Sequence, residues 1–311
     1  MKKEKNEIME RSIVVFPVTL ICCLLWGSAF PFIKIGYSAF NIEADDSFTQ
    51  LLFAGMRFFL AGILTLLIGS AGKKKLLIPS FDAIPKITVL SLFQTILQYT
   101  FFYLGLARTT GMKSSIITAS NVFLSIIVSV FVFRQEKLTI RKTIGCLIGF
   151  AGVVLVNLTS GENMSLRFSG EGLVFLSALS YGISASFIKR FSSEYDPVML
   201  SGCQFVLGGA VMIVIGLLMG GEISCITLKG VIVLVYLAFV SAVAFSLWGV
   251  LLKYNPVSRI SVFGFMNPVF GVILSALLLS ESGTLEIWRV SLSLALIAAG
   301  IIIVNYNRIT S

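Results

Sequence analysis

The stretch SIVVFPVTLICCLLWGSAFPFI, at positions 12–33, decides the fold class of this chain. It contains no charged residue, and as a helix it would extend about 33 Å, the thickness of the hydrocarbon core of a bilayer. The basic segment before it is typical of a signal peptide, but the apolar run is too long for one, and many more such runs follow. The stretch therefore predicts a membrane helix that stays in the protein.

The composition extends this prediction to the whole chain. Of its 311 residues 57% are hydrophobic and 13% charged, and the mean hydropathy is +0.96. Soluble domains are about a quarter charged. The formal charge of +9 is compatible with nucleic acid or with an anionic membrane surface as a partner, and the apolar runs favour membrane lipid and exclude nucleic acid. Four of the five cysteines lie within such runs, so we interpret them as small hydrophobic residues.

Apolar windows predict ten transmembrane helices. They cover residues 12–33, 51–70, 84–106, 113–133, 142–158, 170–189, 198–218, 229–252, 259–280 and 288–306. Most of the 24 Lys and Arg residues fall between helices on the side of the amino terminus. The positive-inside rule then predicts a multi-pass protein of the cell (plasma) membrane, with residues 1–11 as a cytoplasmic tail and both termini cytoplasmic.

The two halves of the chain, residues 12–158 and 170–306, resemble each other. The matched pairs are Trp26–Lys34 with Tyr181–Lys189, Met56–Phe58 with Cys203–Phe205, Tyr103 with Trp248, Arg108 with Lys253, and Glu136 with Glu281. Five helices per half is an odd number, so two copies in series would lie in opposite orientations, as in many secondary transporters. We therefore expect an all-α integral membrane fold of two inverted five-helix repeats.

Short motifs in both halves make the chain similar to the EamA-type permeases of the drug/metabolite transporter superfamily. They are Leu25–Ser28, Met56–Phe58, Tyr103–Ala107, Asn267–Phe270, Glu281 and Gly300. The resemblance implies a secondary transporter, an exporter of small organic metabolites such as amino acids, that works by alternating access at a midplane site. In one departure from the family, Phe123 stands where the position matching Pro268 often has proline. The resemblance therefore does not by itself imply a matching proline kink in the fourth helix.

Two other functions remain open at this point. A carrier or flippase of lipid-linked or amphiphilic compounds would also use an aromatic site with little charge, and a membrane receptor or scaffold would use the same residues for packing. An enzyme is not expected, because histidine is absent and no Asp or Glu lies near the middle of a predicted helix. The same absence disfavours a cation extruder that uses an intramembrane glutamate. No cofactor or metal is predicted, and the coupling ion is not readable.

Polar residues inside the predicted helices are the first candidates for solute binding. Arg57 lies about six residues from the outer end of the second helix. A charge inside a membrane marks a functional site, so we expect Arg57 to attract a carboxylate or phosphate; the alternative is an anchor at the outer interface. Gln94 and Gln98 share one face of helix three, and Tyr99 lies on the adjoining face. The glutamines line either a water-filled cavity or a helix–helix contact.

Three aromatic residues lie near corresponding positions of the repeated helices: Trp26, Tyr181 and Trp248. Such rings suit a pocket for amphipathic solutes, and they are also common in the aromatic belts at membrane interfaces. Asn121 in helix four and Asn267 in helix nine are predicted to contact the solute, with helix packing as the alternative.

Two further features concern movement and helix ends. Pro268 removes a backbone hydrogen bond in mid-helix and is the predicted hinge. Glu136 and Glu281 would lie on opposite sides of the membrane in an inverted repeat, so they cannot act as a pair. We expect each to cap a helix or form a salt bridge.

Overall fold

The computed structural model describes residues 8–106, 108–109, 111–157, 168–278 and 287–309, which form helices joined by short segments. The helices are α1 (Ser12–Ala39), α2 (Ser47–Lys73), α3 (Phe81–Leu106), α4 (Gly111–Ala119, Asn121–Ile127 and a π turn, Val128–Val132), α5 (Ile140–Asn157), α6 (Phe168–Phe191), α7 (Pro197–Leu218), α8 (Leu228–Tyr254), α9 (Val257–Leu278) and α10 (Ile287–Ile309). In these residues no strand occurs. The predicted all-α membrane fold is confirmed.

Within the same ranges, nine helices are long and apolar enough to cross a membrane. The 18-residue α5 is not among them. A multi-pass membrane protein is therefore confirmed, while a tenth span stays a prediction.

The second helix begins earlier than predicted, which changes the depth of Arg57. Asp46 caps α2 by accepting a hydrogen bond from the Thr49 backbone N at 2.9 Å, so the helix starts at Ser47 rather than at residue 51. Such a carboxylate cap supplies an acceptor to a free backbone N–H at the helix start. Arg57 consequently lies ten residues inside α2, about 15 Å from its first residue.

The fourth helix is interrupted at Ser120 although it lacks the proline. At Ser120 the backbone N donates to the Ile117 carbonyl, three residues back, at 3.0 Å, and the Ser120 hydroxyl donates to the same oxygen at 2.6 Å. A serine that bonds back to its own helix competes with the regular ladder. In α9 a 3₁₀ turn, Val262–Phe265, precedes Pro268, whose ring nitrogen cannot donate to the preceding turn.

Helices α2 and α7 form a tight antiparallel pair. A Cβ atom added to Gly62 of α2 would lie 2.5 Å from the Val206 backbone N, and one added to Gly209 of α7 would lie 2.3 Å from the Phe59 backbone N. Small residues at membrane helix interfaces allow such close backbone approach. These glycines therefore fix how deeply the two helices interlock.

The other main pairs follow a regular scheme. α5 packs against α10, where Gly145 faces the Gly300 backbone. α1 packs against α8 and α9, and α6 packs against α3 and α4. The pairs α1–α8 and α3–α6 are antiparallel, whereas α1–α9 and α4–α6 are parallel.

Candidate functional site

Three predicted aromatic residues meet inside the protein. The rings of Trp26 on α1 and Trp248 on α8 pack edge to face with centroids 4.9 Å apart. Trp248 is only 2% exposed, and the Tyr181 hydroxyl of α6 lies beside it. Aromatic residues of an interfacial belt would instead project outward at the helix ends. The burial of Trp248 therefore favours the pocket over the belt for this residue, whereas Trp26 and Tyr181 are half-buried.

The contact continues as a row of rings that comes from five helices. Phe245 lies 5.0 Å from Trp26 and 5.0 Å from Phe205, and Phe58 lies 5.2 Å from Phe205 and 4.3 Å from Tyr99, between ring centroids. We call these rings the aromatic row: Trp248, Trp26, Phe245, Phe205, Phe58 and Tyr99. Aromatic surfaces of this kind provide large apolar contact area for a solute.

Sequence reasoning missed three members of the row. Phe58 and Phe205 had a usable signal, because they occupy matched positions of the two halves. Phe245 had none, because it is one of 26 phenylalanines and only the packing of α8 against α1 and α7 brings it to the row.

Arg57 is buried beside the row. The residue is 3% exposed, and its Nε and Nη2 atoms donate to the Ser241 hydroxyl of α8 at 3.0 and 2.9 Å. Its guanidinium carbon lies 5.0 Å from the centroid of the Phe58 ring. The guanidinium also interacts electrostatically with the phenol groups of Tyr99 and Tyr103. Arg57 therefore does not reach the outer interface as an anchor.

The two predicted glutamines end in enclosed oxygens without partners. Gln94 lies within a π turn, Leu92–Leu97, that interrupts α3, and such turns often mark functional sites. Among the residues that the structure describes, the side-chain oxygens of Gln94 and Gln98 accept no hydrogen bond. In the same turn the Thr95 hydroxyl donates to Gln204 of α7 at 2.6 Å.

Other predicted residues share this feature. The indole nitrogens of Trp26 and Trp248 and the side-chain oxygen of Asn267 are enclosed, and across the described ranges no partner bonds to them. Buried polar atoms are almost always hydrogen-bonded in folded proteins, so each exception needs an explanation. Atoms that bond to a solute during part of a transport cycle would provide one.

The two asparagines lie apart from the aromatic row in the contacts that we find. Asn121 of α4 faces α9, where its side-chain oxygen is 3.9 Å from the Cβ position of Gly264. Asn267 is half-buried, and Pro268 next to it is buried within α9. Both asparagines therefore lie next to irregular turns, the interruption of α4 at Ser120 and the 3₁₀ turn of α9.

Glu136 caps a helix, as expected. It accepts hydrogen bonds from the Ser258 backbone N at the start of α9 at 2.9 Å, from the Ser258 hydroxyl, and from the ammonium group of Lys142 at 2.5 Å. Its side chain is buried, so these bonds supply the compensation that a buried carboxylate requires. Glu281 lies outside the described residues.

Further bonds join the same end of the protein to the chain before α1. The Lys189 ammonium donates to the carbonyls of Leu252 and Asn255 at 3.2 and 2.5 Å. Arg259 donates to the Glu10 carbonyl and to the Asn255 side chain, each at 2.8 Å. We call these groups the α9-start network: Glu136, Lys142, Lys189, Asn255, Ser258 and Arg259. It connects α4, α5, α6, α8 and α9.

An ion pair outside the spans joins α2 to the start of α7. Asp196 accepts hydrogen bonds from the Val198 and Met199 backbone N atoms at 2.9 and 3.2 Å, and it pairs with the ammonium group of Lys73. Burial raises the pKa of Asp196, but Lys73 and the two backbone donors lower it by more, so this pKa lies below its usual value.

Two cavities open elsewhere on the protein. One of about 440 Å³ is lined by Phe133, Gln135, Lys189, Arg190 and Ser193. The other, of about 270 Å³, is lined by Asp45, Asp46, Ser47, Phe48, Leu104 and Arg108. Neither of these two cavities is lined by a predicted site residue.

Comparison with known proteins agrees with this architecture. The model of the EamA-like transporter family matches residues 15–158 and again residues 168–306. The chain is 28% identical over 296 residues to an uncharacterized transporter of Archaeoglobus fulgidus, with 94% of this chain and 98% of that protein covered. It is 25% identical over 300 residues to the uncharacterized transporter YvbV of Bacillus subtilis, with 91% and 88% covered.

A solved structure shares the fold. It superposes with a TM-score of 0.76 at 16% sequence identity, and the match covers 97% of this chain and 100% of that chain. The relatives are named as transporters, and the family model matches both halves. The chain is therefore a membrane transporter rather than an enzyme, and it belongs to the EamA-like transporter family.

Proposed function

We propose that this protein is a secondary transporter that exports small organic metabolites, such as amino acids, by alternating access at the aromatic row. The observation that carries the proposal is that four predicted site residues, Trp26, Gln94, Gln98 and Trp248, each have a buried polar atom without a partner, and that a buried arginine, Arg57, contacts the aromatic row. A solute with polar and apolar parts would bond to these atoms and contact the rings, and its departure would leave the atoms as they are here.

The proposed architecture is ten spans in two inverted repeats, residues 12–158 and 170–306, with α5 as the fifth span. The packing scheme supports it, because it is preserved when every helix is exchanged for the one five places along the chain. Thus α1–α8 becomes α6–α3, and both pairs are antiparallel; α1–α9 becomes α6–α4, and both are parallel. Under this exchange α2–α7 and α5–α10 each map onto the same pair, because their two helices lie five places apart.

Alternating access would follow from rocking of the two repeats around the aromatic row. The α9-start network would close the cytoplasmic end in the present conformation, and Pro268 with the adjoining 3₁₀ turn would serve as a hinge in α9. The position of most Lys and Arg residues supports cytoplasmic termini in the plasma membrane. A reporter that is active only outside the cytoplasm should stay inactive at either terminus, and activity at one of them would contradict this topology.

Flux in proteoliposomes tests the transport proposal. Liposomes with the purified protein should exchange at least one labelled amino acid faster than empty liposomes. Gln98→Ala and Asn267→Ala should reduce this flux at equal protein abundance, because each removes a partnerless polar group. Gly72→Ala is the matched control, because a Cβ atom at Gly72 meets no other atom within 4 Å. Unchanged flux in both site variants would remove those two residues from the site.

A flippase of amphiphilic compounds remains the second candidate. The half-buried state of Trp26, Tyr99 and Tyr181 favours it, since rings that are reachable from the side could contact a lipid chain. This function predicts transfer of a lipid-linked fluorescent compound between leaflets with no flux of soluble amino acids. The receptor or scaffold hypothesis loses support, because the chain belongs to a transporter family.

A further inference from the structure

Arg57 is a buried cation without a counter-charge. It is 3% exposed, and, of the residues that the structure describes, no Asp or Glu pairs with it. Burial of a charge is costly unless the charge is paired and hydrogen-bonded. The protein therefore keeps in its interior a positive charge that its described side chains do not neutralise.

The hydrogen bonds of Arg57 leave part of the guanidinium available. A guanidinium carries five N–H donors, and both donating atoms of Arg57 converge on one hydroxyl, that of Ser241. Arg259 is equally buried, at 4% exposed, but it donates to three different groups, on Glu10, Asn255 and Ser12. Arg259 is thus held as a structural arginine, whereas Arg57 is not.

The second half of the chain indicates that the fold does not require a charge at this position. Gln204 on α7 matches Arg57 on α2 in the alignment of the halves. Gln204 bonds to Thr95 of α3 as Arg57 bonds to Ser241 of α8. A neutral side chain therefore makes the corresponding contact between helices in the second half. The contact does not require the positive charge of Arg57.

Three tyrosines belong to the hydrophobic cluster that contains Phe58, whose ring contacts the charge. The guanidinium interacts electrostatically with the phenols of Tyr37, Tyr99 and Tyr103, and the hydroxyls of Tyr37 and Tyr103 lie next to each other. Tyr37 comes from α1 and the other two from α3. A phenol hydroxyl can donate to an anion, so the cation and the donors converge from three helices.

We infer that Arg57, Tyr37 and Tyr103 form a subsite for the carboxylate of an organic monocarboxylate whose apolar part lies along the aromatic row. Arg57 would form charge-assisted hydrogen bonds with the carboxylate, and the tyrosines would donate to its free lone pairs. Phe58, which contacts both Arg57 and Tyr99, begins the apolar surface. The role of the subsite in transport rests on the proposed function, whereas binding of a carboxylate by the subsite does not.

The charge balance favours a carboxylate over a phosphate. The subsite offers one positive charge and neutral hydroxyls, which neutralise a single negative charge. A phosphate monoester carries nearly two negative charges at neutral pH, and the second would remain uncompensated in the protein interior.

Thermal unfolding of the detergent-purified full-length protein in sodium acetate tests this subsite. Acetate is a minimal carboxylate, and a ligand that binds the folded state raises Tm by mass action. We expect a saturable rise in Tm relative to sodium chloride at equal ionic strength, with no rise in neutral acetamide or in inorganic phosphate. The rise should be absent in Arg57→Gln and partly retained in Arg57→Lys. Tyr103→Phe should weaken the apparent acetate affinity about tenfold, as expected for one charge-assisted hydrogen bond.

Arg259→Gln is the matched control, because it also removes a buried arginine. It should lower Tm in every buffer and still show the acetate-dependent rise. An equal acetate effect in Arg57→Gln, or no acetate effect in the wild type, would overturn the inference. If Arg57→Gln does not fold, the comparison of Tyr103→Phe with the wild type decides, because loss of one hydroxyl leaves the charge and the packing in place.

The outcome separates the subsite from transport. Acetate binding that depends on Arg57, without flux of any solute, would keep the subsite and contradict the transport proposal. Flux of amino acids that is the same in wild type and Arg57→Gln would keep transport and contradict the subsite.

Discussion

Trp26 and Trp248 lie more than two hundred residues apart in the sequence, yet their rings pack edge to face with centroids 4.9 Å apart and an interplanar angle of 63°. Each indole nitrogen is enclosed and, within the described parts of the chain, has no hydrogen-bond partner. Edge-to-face pairs are favourable beyond the area that they bury. The pair thus joins α1 of one half to α8 of the other at the proposed site.

The tryptophans provide an internal probe of solute binding. The chain has three tryptophans. The third, Trp288, is 58% exposed, so its environment differs from that of the Trp26–Trp248 pair. A bound carboxylate solute should change the intrinsic fluorescence of the wild type and of Trp288→Phe equally. Trp248→Phe should lose part of this change, because one of the two tryptophan rings that report from the site is gone. A signal that follows Trp288 instead would contradict a site at the aromatic row.

The α2–α7 contact should tolerate no added atom. Gly209→Ala places a Cβ atom against the Phe59 backbone N, and overpacking costs about 1–3 kcal/mol. We expect a clear drop in Tm in detergent and reduced abundance in membranes. Gly72→Ala, at the open end of α2, should leave Tm unchanged or raise it slightly, because Ala favours helix over Gly. Equal Tm values for the two variants would show that the helices can separate without penalty.

Opening of the α9-start network should expose a native cysteine. Cys146 on α5 is 1% exposed and interacts electrostatically with Glu136 and Lys142. Glu136→Gln keeps the shape of the side chain but weakens its charge-assisted bonds. In a background without the other four cysteines, maleimide labelling of Cys146 should therefore become faster.

The control for this labelling is Glu194→Gln. Glu194 pairs with Lys86 on α3 and is largely exposed, and exposed ion pairs contribute little to stability. Labelling should stay at the wild-type rate in this variant. Equal rates in the Glu136 and Glu194 variants would mean that the network does not control this end of the protein.

Stability should depend on pH through Asp196. Its pKa lies below the usual value of 3.8, so the ionised carboxylate stabilises the folded state above pH 3.8, and this contribution is lost as pH falls through the lowered pKa. Asp196→Asn keeps an N-cap acceptor but loses the ion pair with Lys73. Its Tm should lie slightly below that of the wild type at neutral pH, and the two should converge in acid. A constant difference across this pH range would exclude the ion pair as the cause.

Apolar windows predicted most of the helices, because spans of a bilayer have a fixed length and few charges. The prediction also identified Trp26, Tyr181 and Trp248 from the repeat, and the structure brings these three together. The start of α2 was misjudged, since the cap at Asp46 is a local side-chain bond that an apolar window does not detect. The interruption of α4 at Ser120 was missed for a similar reason, because it arises from side-chain bonding rather than from proline.

Contacts between side chains of distant helices could not be predicted from the sequence. Nothing in the pattern around Ser241 or Tyr37 links them to Arg57, since only the packing of α1, α2 and α8 brings them together. The α9-start network likewise combines residues of α5, α6 and α9 and of the loops after α4 and α8 with the chain before α1. Asn121 and Asn267 had the same signal as Gln98, a polar group inside a span, but the structure puts Asn121 against α9.

Efflux from proteoliposomes loaded with a mixture of small metabolites tests the central claim most directly. Mass spectrometry would compare what leaves liposomes that contain the wild type, Trp26→Ala, or no protein. We expect at least one small organic carboxylate to leave faster with the wild type. This efflux should fall about tenfold in Trp26→Ala at equal protein abundance, since loss of the ring removes about 1.4 kcal/mol or more of contact with the solute. Identical efflux in all three preparations would contradict the central claim.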